Sequence, residues 1–371
     1  MNKILSKKIL YILIFSVSQI YSQTINNAIW KDTKGTLINA HGGSINFFKG
    51  KFYWYGEDRV VDFTKIGCSF IPTHKLEKNK NNVIGLSRGG IHCYSSIDLV
   101  NWKDEGVILP PNFTNENSEM AYGSIIERPK VIYCNKTKQF VMHFKLKTRL
   151  VTEMYANYGS PMKYGVAVSY KPFGPFTFHH SYLAGFDIQG GGDETIFEDE
   201  DGSAYLFFAA KPGAIMYYSK LSDDFLNPKG PFKPCEGIEN KIEAPAIMKA
   251  NGIYHLFASG TKGYNATAPK YAYSTSIHGP WTELKSEQSP YSPLAESGKN
   301  PQNNIGAEVT FGGQSTHILP IPLKKNVFII MYDVWNTKDI PSSTYFWLPI
   351  KFDKSNKLNI KWYDKFDISK Q

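Results

Sequence analysis

The chain has 371 residues, 42% hydrophobic and 15% aromatic, enough to bury a large core and far too apolar for a disordered tail. Its formal charge is +9, but the 42 Lys and Arg residues are dispersed along the sequence. Without a basic stripe no nucleic-acid partner is expected, although an anionic polysaccharide is compatible with the surplus.

Residues 1–22 open with Lys3, Lys7 and Lys8, continue with an apolar run from Ile9 to Val17, and end in small and polar residues. This is the pattern of a secretory signal peptide, too short to span a bilayer comfortably, with cleavage expected near Ser22-Gln23. The expected mature domain is 23–371, exported to the periplasm or outside the cell, and the Lys-, Asn- and Ile-rich composition suits a bacterial source. No later stretch is apolar enough to cross a membrane. Cys68, Cys93, Cys134 and Cys235 lack metal-type spacing and read as buried small hydrophobes, with Cys68–Cys93 the one pair worth testing for a disulfide.

In chain order, one hairpin pattern recurs five times. It spans Ser44–Glu57 (turn at Lys49-Gly50), Arg128–Phe144 (turn at 135–138), Thr195–Phe208 (turn closed by Asp201-Gly202), Lys241–Gly260 (turn at Asn251-Gly252) and Thr316–Tyr332. Each is followed by a second strand pair. Ile91–Trp102, Gly165–Phe176 and Tyr271–Trp281 are plainly related, Ile215–Lys220 with Asp224-Phe225 is a weaker copy, and Tyr345–Ile350 with Ile360–Trp362 supplies the last. Five units of four strands predict an all-β fold, a five-bladed β-propeller. A long β-sandwich is the alternative, and the repeated Gly-Pro-aromatic ending argues against it.

In a propeller the first strand of each blade lines the central channel, so the residues opening those strands meet at one mouth. They are Ala40–Gly43, Glu127, Gly192-Asp193-Glu194, Glu243 and Gln314-Ser315. Clustered carboxylates push their pKa values apart, which separates acid and base roles. Glu243, flanked by Ile242, Ala244 and Pro245, is partly desolvated and suits a general acid. Pro245 biases Ala244 toward extended geometry, which would fix the carboxylate at the strand start. Glu127 has a rival structural reading, a salt bridge with Arg128. Glu194 points away from Asp193 in an extended chain and reads as structural or peripheral.

Taken together, Ile38–Gly43, Tyr53–Glu57, Glu127–Tyr133, Asp193–Phe197 with Asp199–Gly202, Glu243-Ala-Pro245, Gly313–Thr316 and Tyr332–Asn336 resemble glycoside hydrolase family 43, in particular its exo-β-1,3-galactanase branch. The resemblance runs from about Ala28 to the C-terminus. It implies a single-step inverting glycosidase acting on a polysaccharide or oligosaccharide, a monomer with no cofactor. It implies Glu243 as the general acid, Asp193 as the carboxylate orienting it, Gln314 as the group that positions or activates water, and Glu127 as a sugar-binding or assisting carboxylate. The family's first-blade Asp is absent from Asn39-Ala40-His41, which leaves the base open. Glu57, Tyr55, Tyr158, Thr261 and Trp335 are candidate sugar contacts. Relatives that hold calcium in the channel draw notice to His41 and His317, but no oxygen-rich loop accompanies them, and no metal is predicted. An α-L-arabinofuranosidase and a non-catalytic sugar-binding propeller are the competing readings.

Overall fold

The computed structural model describes residues 23–26, 28–59, 89–148, 162–184, 190–210, 212–283, 298–355 and 357–370. The leader 1–22, Cys68 and Tyr158 lie outside the described residues. The described chain forms five antiparallel sheets of four strands, each met in chain order. Blade 1 consists of His41–Phe48, Lys51–Glu57, Ile91–Ser96 and Lys103–Leu109. Blade 2 is Ile125–Cys134, Gln139–Lys147, Lys163–Ser169 and Thr177–Tyr182. Blade 3 is Gly191–Glu198, Ala204–Ala210, Ile215–Lys220 and Lys233–Pro234. Blade 4 is Ile242–Ala250, Ile253–Gly260, Pro269–Ser274 and Thr282–Glu283. Blade 5 is Gln314–Pro320, Phe328–Val334, Thr344–Phe352 and Leu358–Ile360. First strands of successive blades pack on one another all the way round, fifth on first included, so they line the centre of a five-bladed propeller.

The core is divided into five clusters, one between each pair of adjacent blades. Both faces of a blade are therefore buried, and alternate residues of a strand serve opposite neighbours. In blade 5, Tyr345 and Trp347 pack toward Trp54 and Tyr94 of blade 1, while Phe346 and Leu348 pack toward Phe257 and Tyr271 of blade 4. The ring is tied by Gln23–Ile25, which pairs antiparallel with Lys365–Asp367. Next to it the Asn26 amide donates to the carbonyls of Trp347 (2.7 Å) and Tyr363 (2.8 Å) and accepts from the Trp347 N–H (2.9 Å).

Two details depart from the repeat. Blade 3 takes its fourth strand from Lys233–Pro234; Asp224 instead closes a turn, accepting from the Ser222 hydroxyl (2.6 Å) and the Leu226 N–H (3.1 Å). A 3-10 turn at Ala307–Gly312 precedes blade 5 and delivers the chain to Gln314 through a Gly313 N–H to Thr310 carbonyl bond of 2.8 Å. Cys93, Cys134 and Cys235 are buried free thiols.

Candidate active site

All five inner strands carry a β-bulge close to their first residue. The pairing register shifts between His41 and Ser44, Glu127 and Lys130, Gly191 and Glu194, Glu243 and Ala246, and Ser315 and His317. Such a shift breaks strict side-chain alternation and re-aims the residues beside it. Gly42, Arg128 and Ala244 sit at φ 60°, 54° and 57°. Ala244 is thus left-handed and not extended as Pro245 alone would favour. The carbonyls that flank the bend are taken by serines, Ser259 Oγ donating to Glu243 O (3.4 Å) and Ser315 Oγ to Ala244 O (2.7 Å). Beneath the mouth, the buried Lys130 Nζ donates to the carbonyls of Gly42 (2.7 Å) and Arg128 (3.3 Å), tying two of the bends together.

The side chains at the mouth form an alternating charge chain. Glu57 meets Arg59 at 2.7 Å, and Arg59 reaches Glu127 at 3.5 Å. Lys145 bridges Glu127 (2.8 Å) and Asp193 (3.1 Å). Arg128 joins Asp193 (3.0 Å) to the Gln314 oxygen (2.7 Å), and the Gln314 amide nitrogen donates to Glu243 at 3.3 Å. Residues from all five blades are engaged, because Glu57 and Arg59 come from the second strand of blade 1 and the loop after it.

The ends and the middle of this chain titrate differently. Burial, reinforced by the Asp193 charge, pushes the Glu243 carboxyl up to about 7. Burial likewise raises Glu57 to about 7 against the pull of Arg59. At Asp193 burial also works upward, but Arg128 and Lys145 outweigh it and hold the group at about 2. Glu127 is desolvated too, and Lys145 and Arg59 still hold it below the usual range. The mouth therefore holds two carboxyls raised toward neutrality, the buried Glu57 and the half-buried Glu243, beside Asp193 and Glu127, which their cations hold low.

Glu243, Asp193, Glu127 and Gln314 are brought together by these contacts, and Glu57 belongs to the same chain. Tyr55 does not: it is fully buried between blades 1 and 2, its hydroxyl donating to Pro172 O at 2.7 Å, because the regular part of its strand turns it into the core. Thr261 is exposed just after the second strand of blade 4. Trp335 donates its indole N–H to Gln314 at 2.9 Å and covers Arg59, 5.2 Å from the ring centroid. Arg128 does not bridge to Glu127; the bend at φ 54° sends it to Asp193. Glu194 is fully buried rather than peripheral, and burial raises its carboxyl to about 8.

Sequence reasoning passed over Arg59, Lys145, Ser259 and Asp333. Three of them face a singled-out residue across the hairpin, Lys145 opposite Glu127, Ser259 opposite Glu243 and Asp333 opposite Gln314, but counting outward from the turn lands one residue beyond each, because the bulge shifts the register. Asp333 accepts from the Gly42 N–H at 2.5 Å, and burial raises its carboxyl to about 7. It stands 3.9 Å from His41, which stacks on Tyr345. The His317 ring nitrogen faces the Ile45 carbonyl at 3.2 Å. Among the described residues no group of three His, Cys, Asp or Glu is placed to hold a metal ion.

A family model for glycosyl hydrolases family 43 matches residues 78–311. The chain is a family 43 glycoside hydrolase. A solved β-1,3-galactosidase of this family is 30% identical over 94% of the hydrolase with a TM-score of 0.75, and the hydrolase spans 64% of that longer chain. A second, solved with galactodeoxynojirimycin, is 31% identical, with 93% of this hydrolase and 100% of that chain covered and a TM-score of 0.75. An exo-β-1,3-galactanase from Phanerochaete chrysosporium, solved with β-1,3-galactotriose, is 28% identical, with 93% and 68% covered and a TM-score of 0.71. In a comparison with curated proteins, none matched this glycoside hydrolase.

Proposed function

We propose that this hydrolase is an exported, exo-acting, inverting enzyme that releases galactose from β-1,3-linked galactan of the arabinogalactan type. The observation that carries the reading is Glu243, a half-buried carboxyl raised to about 7 at one end of a fixed charge chain. The sugar is argued from the neighbours, two of them β-1,3-galactosidases and one an exo-β-1,3-galactanase that overlie more than nine-tenths of the chain. Export is argued from the leader-like residues 1–22, and no helix among the described residues is long and apolar enough to cross a membrane.

In this mechanism Glu243 protonates the glycosidic oxygen as the bond from that oxygen to the anomeric carbon breaks. Water forms the new bond from the opposite face, giving α-galactose and the shortened chain. Its proton passes to Glu127, ionised through Lys145 and Arg59 and two blades away from Glu243. Inversion needs about 6.5–9.5 Å between the acid and the group opposite it, and blades 2 and 4 are as far apart as two blades of a five-membered ring can be. Asp193 stays charged, orients Arg128 and Lys145, and holds the acid's pKa up.

The test is incubation of the purified protein with β-1,3-galactan and, separately, with an aryl α-L-arabinofuranoside, with products separated by chromatography and the anomer followed by NMR. Galactose released first as the α-anomer is expected. Arabinose as the sole product would replace the substrate; β-galactose as the first product would overturn the inverting mechanism.

A further inference from the structure

We infer that His92, on the third strand of blade 1, is a positioning residue for Glu127: clamped between Asp58 and Asp104, it fixes the corner that keeps Arg59 against that carboxylate. The inference rests on the reading of Glu127 as the group that takes the proton from water, and deepens it. His92 Nδ1 lies 3.1 Å from Asp58 Oδ2, and Nε2 lies 2.6 Å from Asp104 Oδ1. Asp104 Oδ1 also accepts the Gly106 N–H at 2.7 Å, so Nε2 must be the donor of the pair. The imidazole is the stronger base toward Asp58 and keeps the second proton on Nδ1, which makes the ring an imidazolium. Burial works against that charge, but the hydrogen bonds to Asp58 and Asp104 outweigh it and hold the ring above the ordinary histidine range. Among the described residues these two carboxylates are the charges that face the ring; Lys34 acts on Asp104. A register slip brings Asp104 there: it pairs with Tyr94 while Gly106 pairs with Cys93, and Glu105 between them is the bulged residue.

The ring meets the corner by two routes. After the strand Lys51–Glu57, alternation sends the Glu57 and Arg59 side chains to the mouth while Asp58 faces the other way, onto His92. Holding Asp58 from behind therefore fixes the residues in front. The same ring stacks on Tyr94, with centroids 4.5 Å apart and 8° between the planes. Tyr94 Oη accepts the Asn39 N–H at 3.1 Å, and Asn39 Oδ1 accepts the Arg59 N–H at 3.1 Å. At the mouth Arg59 spans Glu57 (2.7 Å) and Glu127 (3.5 Å). Glu57 and Arg59 share the corner and move together, whereas Glu127 belongs to blade 2. A shift of the corner thus loosens the contact with Glu127 first. Lys145 would then hold Glu127 down with less help, and its carboxyl would titrate higher.

The clamp has a signature of its own. In proton–nitrogen NMR spectra of histidine-labelled protein, His92 should carry protons on both ring nitrogens at neutral pH; a ring protonated on one nitrogen only would overturn the inference. Activity on β-1,3-galactan supplies a second arm. His92→Gln keeps a donor but has no charge and cannot serve both carboxylates. The acidic limb of kcat/KM should move up by about one pH unit, about a tenfold loss well below that limb, while the alkaline limb set by Glu243 stays in place. An unmoved acidic limb with lower urea stability would leave His92 a plain strut and sink the positioning role. Arg59→Gln should move the same limb the same way, and the double variant no further than Arg59→Gln alone. Additive shifts would mean that His92 does not act through Arg59. Should His92→Gln fail to fold, Asp104→Asn serves in its place: it keeps the ring, removes one of its two charges, and should move the limb in the same direction by less, an unmoved limb again counting against the role. The reading of Glu127 is tested apart by Glu127→Gln: retained turnover would remove it as the proton acceptor, whatever the spectrum of His92 shows.

Discussion

The two ends of the central channel are made by the same five strands, yet one is a charged mouth and the other an apolar one. At the charged end each strand is bulged, and Glu57, Arg59, Glu127, Lys145, Asp193, Arg128, Gln314 and Glu243 stand in an unbroken series of contacts. A few residues further along, pairing runs without a shift from Ser44, Lys130, Glu194, Ala246 and His317 to the hairpin turns. There Ile45, Val131, Ile196, Ile247 and Ile318 surround a cavity of about 580 Å³. At its rim Lys249 pairs with Asp199 (3.0 Å) and Glu200 (2.9 Å). Regular pairing serves packing between blades. The bulges are what crowd titratable groups together, and burial with a fixed order of neighbours then sets each of them apart from the next.

The comparison breaks most visibly at Glu243. Glu243→Gln should cost roughly 1000-fold in kcat/KM on galactan while circular dichroism and sugar binding stay unchanged, the size expected for losing a general acid. A variant that keeps a tenth of the activity would dismiss Glu243 from that role. Next in size is the bend itself. Ala244 is fully buried at φ 57°, so Ala244→Val should cost about 3 kcal/mol by urea unfolding, from a β-branched residue in the left-handed region and from overpacking. On the regular part of the same strand, Ile247→Val should cost about 0.5–1.5 kcal/mol and leave kcat/KM alone. Equal costs at the two positions would mean that the bulge is not special.

Asp193 sharpens the contrast through pH. Its folded-state pKa is depressed to about 2 from 3.8, so its stabilising contribution is present above 3.8 and is lost as pH falls through 2. The amount is on the order of 2 kcal/mol, read as the difference in acid sensitivity between wild type and Asp193→Asn in denaturant titrations. Glu243 is displaced the other way. Activity should fall as pH rises through about 7, and Asp193→Asn should bring that alkaline limb to lower pH, since a charge that raised the acid's pKa is gone. A limb that does not move would disconnect the two carboxylates. Smallest of all is Lys249→Met at the apolar end, expected to cost less than about 1 kcal/mol with no change in turnover.

Much of this was legible beforehand. The Asn251-Gly252 turn, the recurring hairpins and the Gly-Pro-aromatic endings announce five sheets of four strands, and placing the first strands at the centre gathers Glu127, Asp193, Glu243 and Gln314 at one end. Aromatic richness misled at Tyr55, where a residue two positions from Glu57 serves the core and not the mouth. Lys145 and Asp333 went unseen, although each stands directly across a hairpin from a residue that was singled out.

The linear chain by itself determined the number of blades and the strands that open them, with Glu127, Asp193, Glu243 and Gln314 at their starts, because hydrophobic alternation and turn chemistry are local and repeat. Only the folded ring decided which charges meet. Arg128 finds Gln314 across 186 residues of sequence and passes over its neighbour Glu127, since a bulge turns it and the closing of the ring supplies the partner. Partners of that kind depend on broken alternation and on contact between blades, and neither leaves a periodic mark in a sequence.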